Sequence, residues 1–421
     1  MSNGRKNFSK DAIFNTIGNL AYLGVIWVMT LVVTWRLGFE NAGYFSIAMS
    51  VANIFISLAS YTMRIYYAAD IQKRYRDQTY IISRYITVII SIFLCVTFSF
   101  LTGYSENQIK IIILFYIFKS EEMISDVFYG TMQRYGKLYI SGVSMIVKAV
   151  ISLVFFLVSI WLFKDLIIAL IGIDIAGLLI FIFFDYSISR KVSYSKLCIE
   201  KMDLIAAQEV LKVCFPLFVV GLCYNVIPSL PKIVFEKLYS SEELGFYSSI
   251  ATITVLISTG ATCIMMPLIP QLASYYQNRN INGLKKNLKI TFFCIFLLGS
   301  ICIFIDKILG RWTLNIMFGE KIDAYAYNLK WVIIAALLTS IIIYFNNFFT
   351  AIQRTKYVEI ASILGVIICL ITVYPLCKYL YMMGLTFTLI ISQLIEIIML
   401  YIQAKRILKR MEKENECNVF K

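Results

Sequence analysis

The chain has 421 residues, of which 60% are hydrophobic and 15% charged, and it carries a net charge of +14 without a single histidine. Because globular proteins carry about 25% charged residues, a water-soluble chain of this length would need a far more polar surface. The composition excludes an ordinary soluble protein, and the lack of histidine excludes any mechanism that needs a histidine base, metal ligand or proton shuttle.

Twelve apolar stretches are each long enough to cross a bilayer as a helix. A helix closes its own backbone hydrogen bonds, which hydrocarbon requires. The predicted helices cover residues 14–36, 42–66, 80–101, 108–130, 139–162, 165–185, 208–231, 245–268, 288–309, 329–351, 357–377 and 383–402. We therefore expect an all-α polytopic membrane protein with about twelve transmembrane helices.

Basic residues are concentrated in every second loop. They are Arg5, Lys6 and Lys10; Lys73, Arg74 and Arg76; Arg134 and Lys137; Arg190, Lys191, Lys196 and Lys201; Arg279, Lys285, Lys286 and Lys289; Arg354 and Lys356; and Lys405, Arg406, Lys409, Arg410 and Lys413. The positive-inside rule then predicts that both termini and the basic loops are cytoplasmic. The net charge is explained by this topology and by contact with anionic lipid headgroups, so no nucleic-acid partner is expected.

The longest cytoplasmic connector follows the sixth predicted helix and divides the chain into two halves. We expect an N-terminal lobe at 1–190, a cytoplasmic linker at 191–207, and a C-terminal lobe at 208–421 that ends in a basic tail. Residues 40–46 and 242–248 share the pattern E-x-x-G-[YF]-[FY]-S at the start of the second and eighth helices. With six helices per lobe, this predicts a parallel internal repeat, as in two-lobed transporters.

Ionisable residues at membrane depth are candidates for function because each is costly there unless it is paired or faces water. Lys119, Glu122 and Asp126 share one face of the fourth helix. Lys148, on the antiparallel fifth helix, is expected at the depth between Glu122 and Asp126. We predict a Lys148–Glu122/Asp126 cluster, and either transport or a purely structural role remains open for it.

Further polar residues at depth suggest a lumen lined by cations and amides. Arg64, Arg84 and Lys212 either line it or snorkel to the cytoplasmic headgroups. Other candidates are the deep carboxylates Asp174 and Glu396 and the amides Asn53 and Asn225. Such a lining suits an anionic substrate, since lysine and arginine pair well with phosphate oxygens.

All six prolines lie in the second half of the chain. Three of them, Pro216, Pro228 and Pro231, fall in the seventh helix. Because proline removes a helical hydrogen bond and clashes with the preceding turn, the seventh helix is predicted to be the most broken span. A hinge and a static kink are both open interpretations.

Several segments resemble bacterial polysaccharide flippases of the multidrug/oligosaccharidyl-lipid/polysaccharide exporter superfamily. These segments are residues 15–19, 33–38, 40–46, 63–70, 122–126 with 129–133, and 231–248. The likeness covers nearly the whole chain in layout, although its motifs are loose. One departure is Pro231-Lys232, where many members carry an acidic–basic pair.

The resemblance implies a two-lobed protein of the bacterial cytoplasmic membrane that works by alternating access. Its cargo would be an oligosaccharide on a polyprenyl diphosphate, and further implied partners are anionic membrane lipids and polysaccharide polymerase machinery. The pyrophosphate would meet Arg64, Lys148 and Lys212. The sugars would meet aromatic and amide side chains, namely Tyr22, Tyr224, Asn53 and Asn225. Candidates for ion coupling, or for structural pairs, are Glu122, Asp126, Asp174 and Glu396.

Two alternatives belong to other functional classes. A drug or metabolite exporter, working as a cation-coupled antiporter, would share the two-lobed architecture. A membrane-embedded polymerase or glycosyltransferase would need a sizeable outer loop or a carboxylate-rich cytoplasmic one, and the outer loops here are short. The sequence contains no Walker, G-x-G-x-x-G or H-E-x-x-H motif, so neither a cofactor nor a metal is expected, and the chain is not expected to be an enzyme.

Overall fold

The computed structural model describes residues 2–70, 74–193, 201–265 and 268–419, and regular structure in these ranges is entirely helical. The α-helices are α1 (Ser2–Ser60), α2 (Met63–Ala69), α3 (Asp77–Leu101), α4 (Glu106–Arg134), α5 (Leu138–Phe163), α6 (Leu166–Ile180), α7 (Ser187–Ser193), α8 (Lys201–Leu238), α9 (Ser241–Ala251), α10 (Ile253–Met265), α11 (Ile269–Gln277), α12 (Ile281–Phe318), α13 (Leu329–Ala351), α14 (Lys356–Leu380) and α15 (Met382–Val419). A π-helical turn lies at Phe181–Tyr186 and a 3₁₀ helix at Glu320–Asn328.

The predicted spans coincide with these helices. Within the described residues, ten helical stretches are long and apolar enough to cross a membrane. One of them, Ile13–Ala69, holds the first two predicted spans, which meet at a kink where Gly38 has φ 84° and ψ 176°. The count of ten also leaves out α4, because α4 contains more charged residues than an ordinary apolar span. The predicted fold class, an all-α polytopic membrane protein, is confirmed.

The chain forms two compact units. Unit 1 consists of Met1–Ser229 and Ser241–Gly245, and unit 2 of Leu230–Ser240 and Phe246–Lys421. The predicted boundaries at 190 and 208 stay a prediction, and residues 194–200 of the predicted linker lie outside the described residues.

Most of α8 belongs to unit 1 because it packs on the end of α1. The rings of Tyr61 and Phe218 stack with centroids 4.7 Å apart. Thr62 Oγ1 donates to the Leu217 carbonyl at 3.2 Å, and Ser57 Oγ donates to the Gly221 carbonyl at 3.3 Å. These hydroxyls give α8 polar anchor points on α1 in addition to ring packing.

The predicted break in the seventh span is wrong, because α8 runs as one helix from Lys201 to Leu238 through Pro216, Pro228 and Pro231. A membrane helix tolerates proline where neighbouring groups satisfy the freed carbonyls. The interruption lies instead in the eighth predicted span, where Thr252 separates α9 from α10. A hinge role for the three prolines stays a prediction.

Aromatic packing between α12 and α13 forms part of the interior of unit 2. Phe292 of α12 meets the rings of Tyr344 and Phe345 at centroid distances of 6.3 and 5.8 Å. Tyr344 also donates to Asn287 Oδ1 at 3.1 Å, which satisfies its buried hydroxyl. Such edge-on aromatic pairs contribute about 0.5–1.5 kcal/mol beyond area burial.

Candidate substrate cavity

A cavity of about 210 Å³, with several charged residues in its lining, lies inside unit 1 among helices α1, α2, α4 and α5. The residues that line it are Asn19, Tyr22, Arg64, Glu122, Met123, Asp126, Tyr129, Met145 and Lys148. Two cations, two carboxylates, two phenols and an amide thus share one partly open space with two methionines. Polar groups at membrane depth persist only where they are paired or face water, and this cavity provides both conditions.

Asp126 is held between two arginines. Arg64 Nη1 lies 3.0 Å from Asp126 Oδ1, and Arg84 Nη2 lies 3.0 Å from Asp126 Oδ2. The side chain of Arg84 is fully buried, and its Nη1 donates to the Ala59 carbonyl at 2.7 Å. Arg84 therefore does not snorkel to the headgroups, because a carboxylate and a backbone carbonyl satisfy its guanidinium inside the unit.

Arg64 reaches the cavity because the chain turns sharply before α2. Tyr61 and Thr62 adopt left-handed φ values of 48° and 49°, and α2 begins directly after them. Arg64 Nε donates to Gln133 Oε1 at 3.4 Å, and its guanidinium lies 5.7 Å from the centroid of Tyr129. Among the described residues Nη2 of Arg64 has no partner, and its side chain is 21% exposed. Its guanidinium is thus both fixed in place and accessible.

Lys148 lines the same cavity but makes its ion pair elsewhere. Its Nζ lies 3.2 Å from Asp185 Oδ2 and donates to Ser125 Oγ at 2.7 Å. Asp185 belongs to the π-helical turn after α6, and it also accepts hydrogen bonds from Ser144 and from Tyr129. The predicted Lys148–Glu122/Asp126 pairing is wrong, because Asp185 occupies the place of the carboxylate partner.

Glu122 has its own partners on the other side of the cavity. Lys119 Nζ lies 3.0 Å from Glu122 Oε2, and the Tyr22 hydroxyl donates to the same oxygen at 2.6 Å. Lys119 also contacts the Tyr22 hydroxyl directly. The lysine and glutamate are neighbours on one face of α4, as their spacing predicts.

The remaining predicted site residues lie away from this cavity. Lys212 and Tyr224 are exposed on α8, and Asn53 is exposed on α1. Asn225 Nδ2 donates to Ser57 Oγ at 2.8 Å. Asp174 is half-buried on α6, with Oδ1 unpaired among the described residues. In unit 2, Glu396 is buried and accepts from Ser362 Oγ at 2.7 Å.

Sequence reasoning missed Asp185 and the role of Arg84. Asp185 is the last residue of the sixth predicted span, at 165–185. The π-helical turn at Phe181–Tyr186 shifts the register there and brings Asp185 to Lys148. The one available signal was the buried cation itself, which requires a carboxylate of the same depth.

A network centred on Arg134 holds α2, α3 and α4 in position around the cavity. Arg134 of α4 pairs with Asp77 at 2.9 Å and with Asp70 at 3.3 Å, and both carboxylates are largely buried. Burial raises the pKa of Asp70. Backbone N–H donors from Arg74 and Tyr75, with the Tyr80 hydroxyl and Arg134, lower the pKa by more than burial raises it, so the net pKa is below its ordinary value. Asp70 is therefore a carboxylate at neutral pH.

The sequence model of the family described as polysaccharide biosynthesis protein matches residues 8–276 and 277–419. The chain is also 25% identical over 411 residues to the capsular polysaccharide biosynthesis protein CapF of Staphylococcus aureus. That alignment covers 96% of this chain and 99% of CapF.

Solved structures of transporters share the fold. The structure described as an inward-facing multidrug resistance MATE family transporter of the MOP superfamily has a TM-score of 0.71 at 14% identity, and the match covers 95% of this chain and 96% of that one. The MATE transporter VcmN of Vibrio cholerae has a TM-score of 0.66 at 11% identity, with 97% and 99% covered. At these identities the likeness shows the fold alone.

Proposed function

The chain belongs to the polysaccharide biosynthesis protein family, and from this premise we propose that it is a flippase. It moves an oligosaccharide carried on a polyprenyl diphosphate across the bacterial cytoplasmic membrane, for assembly of a cell-surface polysaccharide. Both termini face the cytoplasm in this proposal. The chain performs no chemical step on its cargo, in keeping with the transporter fold of its structural relatives.

The charged cavity of unit 1 is the observation that carries this proposal. Moving a charged, hydrated headgroup through hydrocarbon costs far more than a protein can offset by contacts with lipid alone. A cavity lined by Arg64, Lys148, Tyr22, Tyr129 and Asn19 offers cationic donors for phosphate oxygens, with phenol and amide groups for hydroxyls. The headgroup would travel in this polar space while the polyprenyl tail stays in the bilayer.

Arg64 is the cation best placed to meet the diphosphate. Asp126 shares its charge between Arg64 and the buried Arg84, so an incoming phosphate competes for only one of two arginines. Nη2 of Arg64, unpaired among the described residues, supplies two N–H groups toward the anion. When the phosphate leaves, Asp126 again takes the full charge of Arg64. Exchange between these two anions gives the cavity a means to bind the cargo and release it.

The test is a flipping assay with purified protein in vesicles that contain a fluorescent polyprenyl-diphosphate oligosaccharide. Movement is measured as protection from a membrane-impermeant quencher. The Arg64→Gln variant should flip about tenfold more slowly or worse, since a hydrogen bond to a charged group contributes about 1.5–3 kcal/mol. Asp126 keeps Arg84 as a partner in this variant, so the fold is retained.

The matched control is Lys110→Gln, which removes one exposed cation of unit 1 outside the cavity. It should flip like the unaltered protein. Equal rates in Arg64→Gln and Lys110→Gln would contradict the role of the cavity. Absence of flipping with several glycans, together with efflux of a soluble cation, would favour a cation-coupled drug or metabolite exporter. The MATE fold relatives and the cavity carboxylates Glu122 and Asp126 support that second candidate.

A further inference from the structure

A second cavity, of about 280 Å³, lies in unit 2 between α12 and α15. It shares no lining residue with the cavity of unit 1. The residues that line it are Lys285, Leu288, Lys289, Tyr401, Ala404, Lys405, Leu408, Lys409 and Glu412. Four lysines and one glutamate thus surround a largely aliphatic floor.

The lysines form two parallel rows. Lys285 and Lys289 are one helical turn apart on α12, and Lys405 and Lys409 are one turn apart on α15, so each pair occupies a single helix face. Leu408 and Ala404 are buried beneath them. Two rows of cations along a shared cleft repel one another unless an anion lies between them.

Only part of this charge is neutralised inside unit 2. Lys285 pairs with Glu412. The other three lysines have no carboxylate partner among the described residues. Each is exposed and free to turn its ammonium group into the cleft. The cavity therefore has an excess of positive charge that would attract an anionic ligand.

The cavity lies at the level where both helices change from apolar to basic. On α12 the apolar run begins at Ile290, directly after Lys289, and on α15 the apolar run ends at Ile402, just before Lys405. Tyr401, with its apolar ring and polar hydroxyl, lines the cavity at this boundary. Tyrosine at this position is typical of the membrane–water interface.

Apolar side chains continue from the cavity along the membrane-facing sides of both helices. Phe293 lies one turn beyond Lys289 and is 65% exposed, and Ile398 lies one turn before Tyr401 and is 55% exposed. A lysine-rich cleft that opens onto an exposed hydrocarbon surface has the shape of a lipid: an anionic head followed by an acyl chain.

We propose that this cleft binds an anionic phospholipid of the cytoplasmic leaflet, with the phosphate between Lys289, Lys405 and Lys409 and an acyl chain along Phe293 and Ile398. Basic pockets between membrane helices on the cytoplasmic side are suited to lipid phosphates. Lysine is long enough to reach a headgroup while its methylene stem stays on the apolar floor. The site rests on the proposed orientation of the termini but not on the identity of the cargo.

The test compares Lys405→Gln/Lys409→Gln with a matched control, Arg354→Gln/Lys356→Gln. The control removes two exposed cations of unit 2 at the same predicted membrane side, outside the cleft. Purified proteins in neutral detergent are titrated with phosphatidylglycerol or with phosphatidylcholine. Native mass spectrometry counts the retained lipids, and the rise in Tm gives the dissociation constant. Tm without lipid checks that each variant is folded.

The unaltered protein and the control should retain phosphatidylglycerol and gain Tm, with little response to phosphatidylcholine. The cleft variant should bind phosphatidylglycerol roughly thirtyfold more weakly, at about 1 kcal/mol for each lysine near an anionic lipid. Added salt should weaken binding in the unaltered protein by screening. Equal binding by the two variants, or an equal response to phosphatidylcholine, would overturn the proposal.

Two further ligands distinguish the source of the phosphate. Inorganic phosphate should raise Tm little, because it lacks the acyl chain. If it matched phosphatidylglycerol, the cleft would be a site for soluble phosphate and the lipid assignment would fall. If polyprenyl phosphate bound much more tightly than phosphatidylglycerol, the occupant would be the cargo lipid and the proposal would again be overturned.

Discussion

Charged side chains inside unit 1 are stabilised by partners that differ in exposure. Asp185 is fully buried and Lys148 is 5% exposed, whereas Arg64 and Asp126 are each about one-fifth exposed. A buried ion pair costs more when one member is removed than the intact pair contributes, because the other charge is left unpaired. We therefore infer that the Lys148–Asp185 pair stabilises the packing of α5 on the turn after α6. The Arg64–Asp126 pair is accessible to a ligand.

This assignment predicts a specific pattern of rescue. Lys148→Met should lower stability by about 3–5 kcal/mol, because Asp185 becomes a buried charge without a cation. Adding Asp185→Asn should recover most of that loss, since the asparagine carries no charge and still accepts from Ser144. Thermal unfolding of purified protein in detergent measures each step.

The matched double variant is Lys148→Met with Asp126→Asn. It should recover nothing, because Asp126 is paired with Arg64 and Arg84 and not with Lys148. Recovery in this variant, with none in the Asp185 combination, would restore the pairing expected from sequence alone.

Helix-face counting predicted the depth of the charged residues but not all of their partners. Tyr22, Arg64, Glu122, Asp126 and Lys148 do line one cavity, and their roles there stay predictions. Counting residues assumes a regular helix, so it could not anticipate how the π-helical turn places Asp185. It also left open whether Arg84 lines the lumen or extends to the headgroups, and the structure pairs Arg84 with Asp126 inside the unit.

At the scale of elements, two related segments meet through glycine. Gly43 and Gly245 occupy the same position in the two E-x-x-G motifs. A β-carbon on Gly43 would lie 1.7 Å from the Ser241 carbonyl oxygen, and one on Gly245 would lie 1.9 Å from the Phe39 carbonyl oxygen. Along the chain, Phe39 precedes Gly43 by four residues, and Ser241 precedes Gly245 by four residues. The contact is therefore reciprocal, as expected of a duplicated helix start that packs against its own copy.

Alanine at either glycine should consequently destabilise unit 1. Gly43→Ala and Gly245→Ala each force two backbones apart, and overpacking of this kind costs about 1–3 kcal/mol or more. The control is Gly24→Ala, also in α1, where a β-carbon would have no neighbour within 4 Å. Because alanine favours a helix by about 0.5–1 kcal/mol over glycine, the control should be neutral or stabilising.

Thermal unfolding in detergent checks all three variants. Equal Tm values for Gly43→Ala and Gly24→Ala would show that the close approach does not constrain the fold. A loss for Gly43→Ala without one for Gly245→Ala would contradict the reciprocity of the contact.

The sequence predicts the helices wherever the length of an apolar stretch is sufficient to define one. All twelve predicted spans correspond to helices, since a membrane helix needs only length and apolar character. Proline content was a poorer guide: α8 continues through three prolines, and α9 ends at Ala251 without one nearby. Whether a proline interrupts a helix depends on tertiary contacts, here those of α8 with α1, that local sequence does not contain.

For the whole molecule, the arrangement of charge in alternate loops predicts the orientation of the chain in the membrane. If the basic loops are cytoplasmic, then the lysine cleft of unit 2 faces the cytoplasmic leaflet, and the cargo enters from the side on which it is made. The opposite orientation would place the same lysines outside. The topology is thus a premise shared by the lipid site and the flippase proposal, and it can be measured independently of both.

Single cysteines in a background where the native cysteines are replaced by serine provide that measurement. Glu106, at the start of α4 with a side chain 82% exposed, is on the predicted outer side. Arg354, exposed in the turn before α14, is on the predicted inner side. In intact cells a membrane-impermeant maleimide should label Glu106→Cys and not Arg354→Cys, and cell lysis should make both reactive. Neither change removes a buried contact, and exposed ion pairs contribute little to stability, so both variants should insert normally. Labelling of Arg354→Cys in intact cells, with protection of Glu106→Cys, would reverse the topology and place the lysine cleft in the outer leaflet, away from the cytoplasmic lipid that we assign to it.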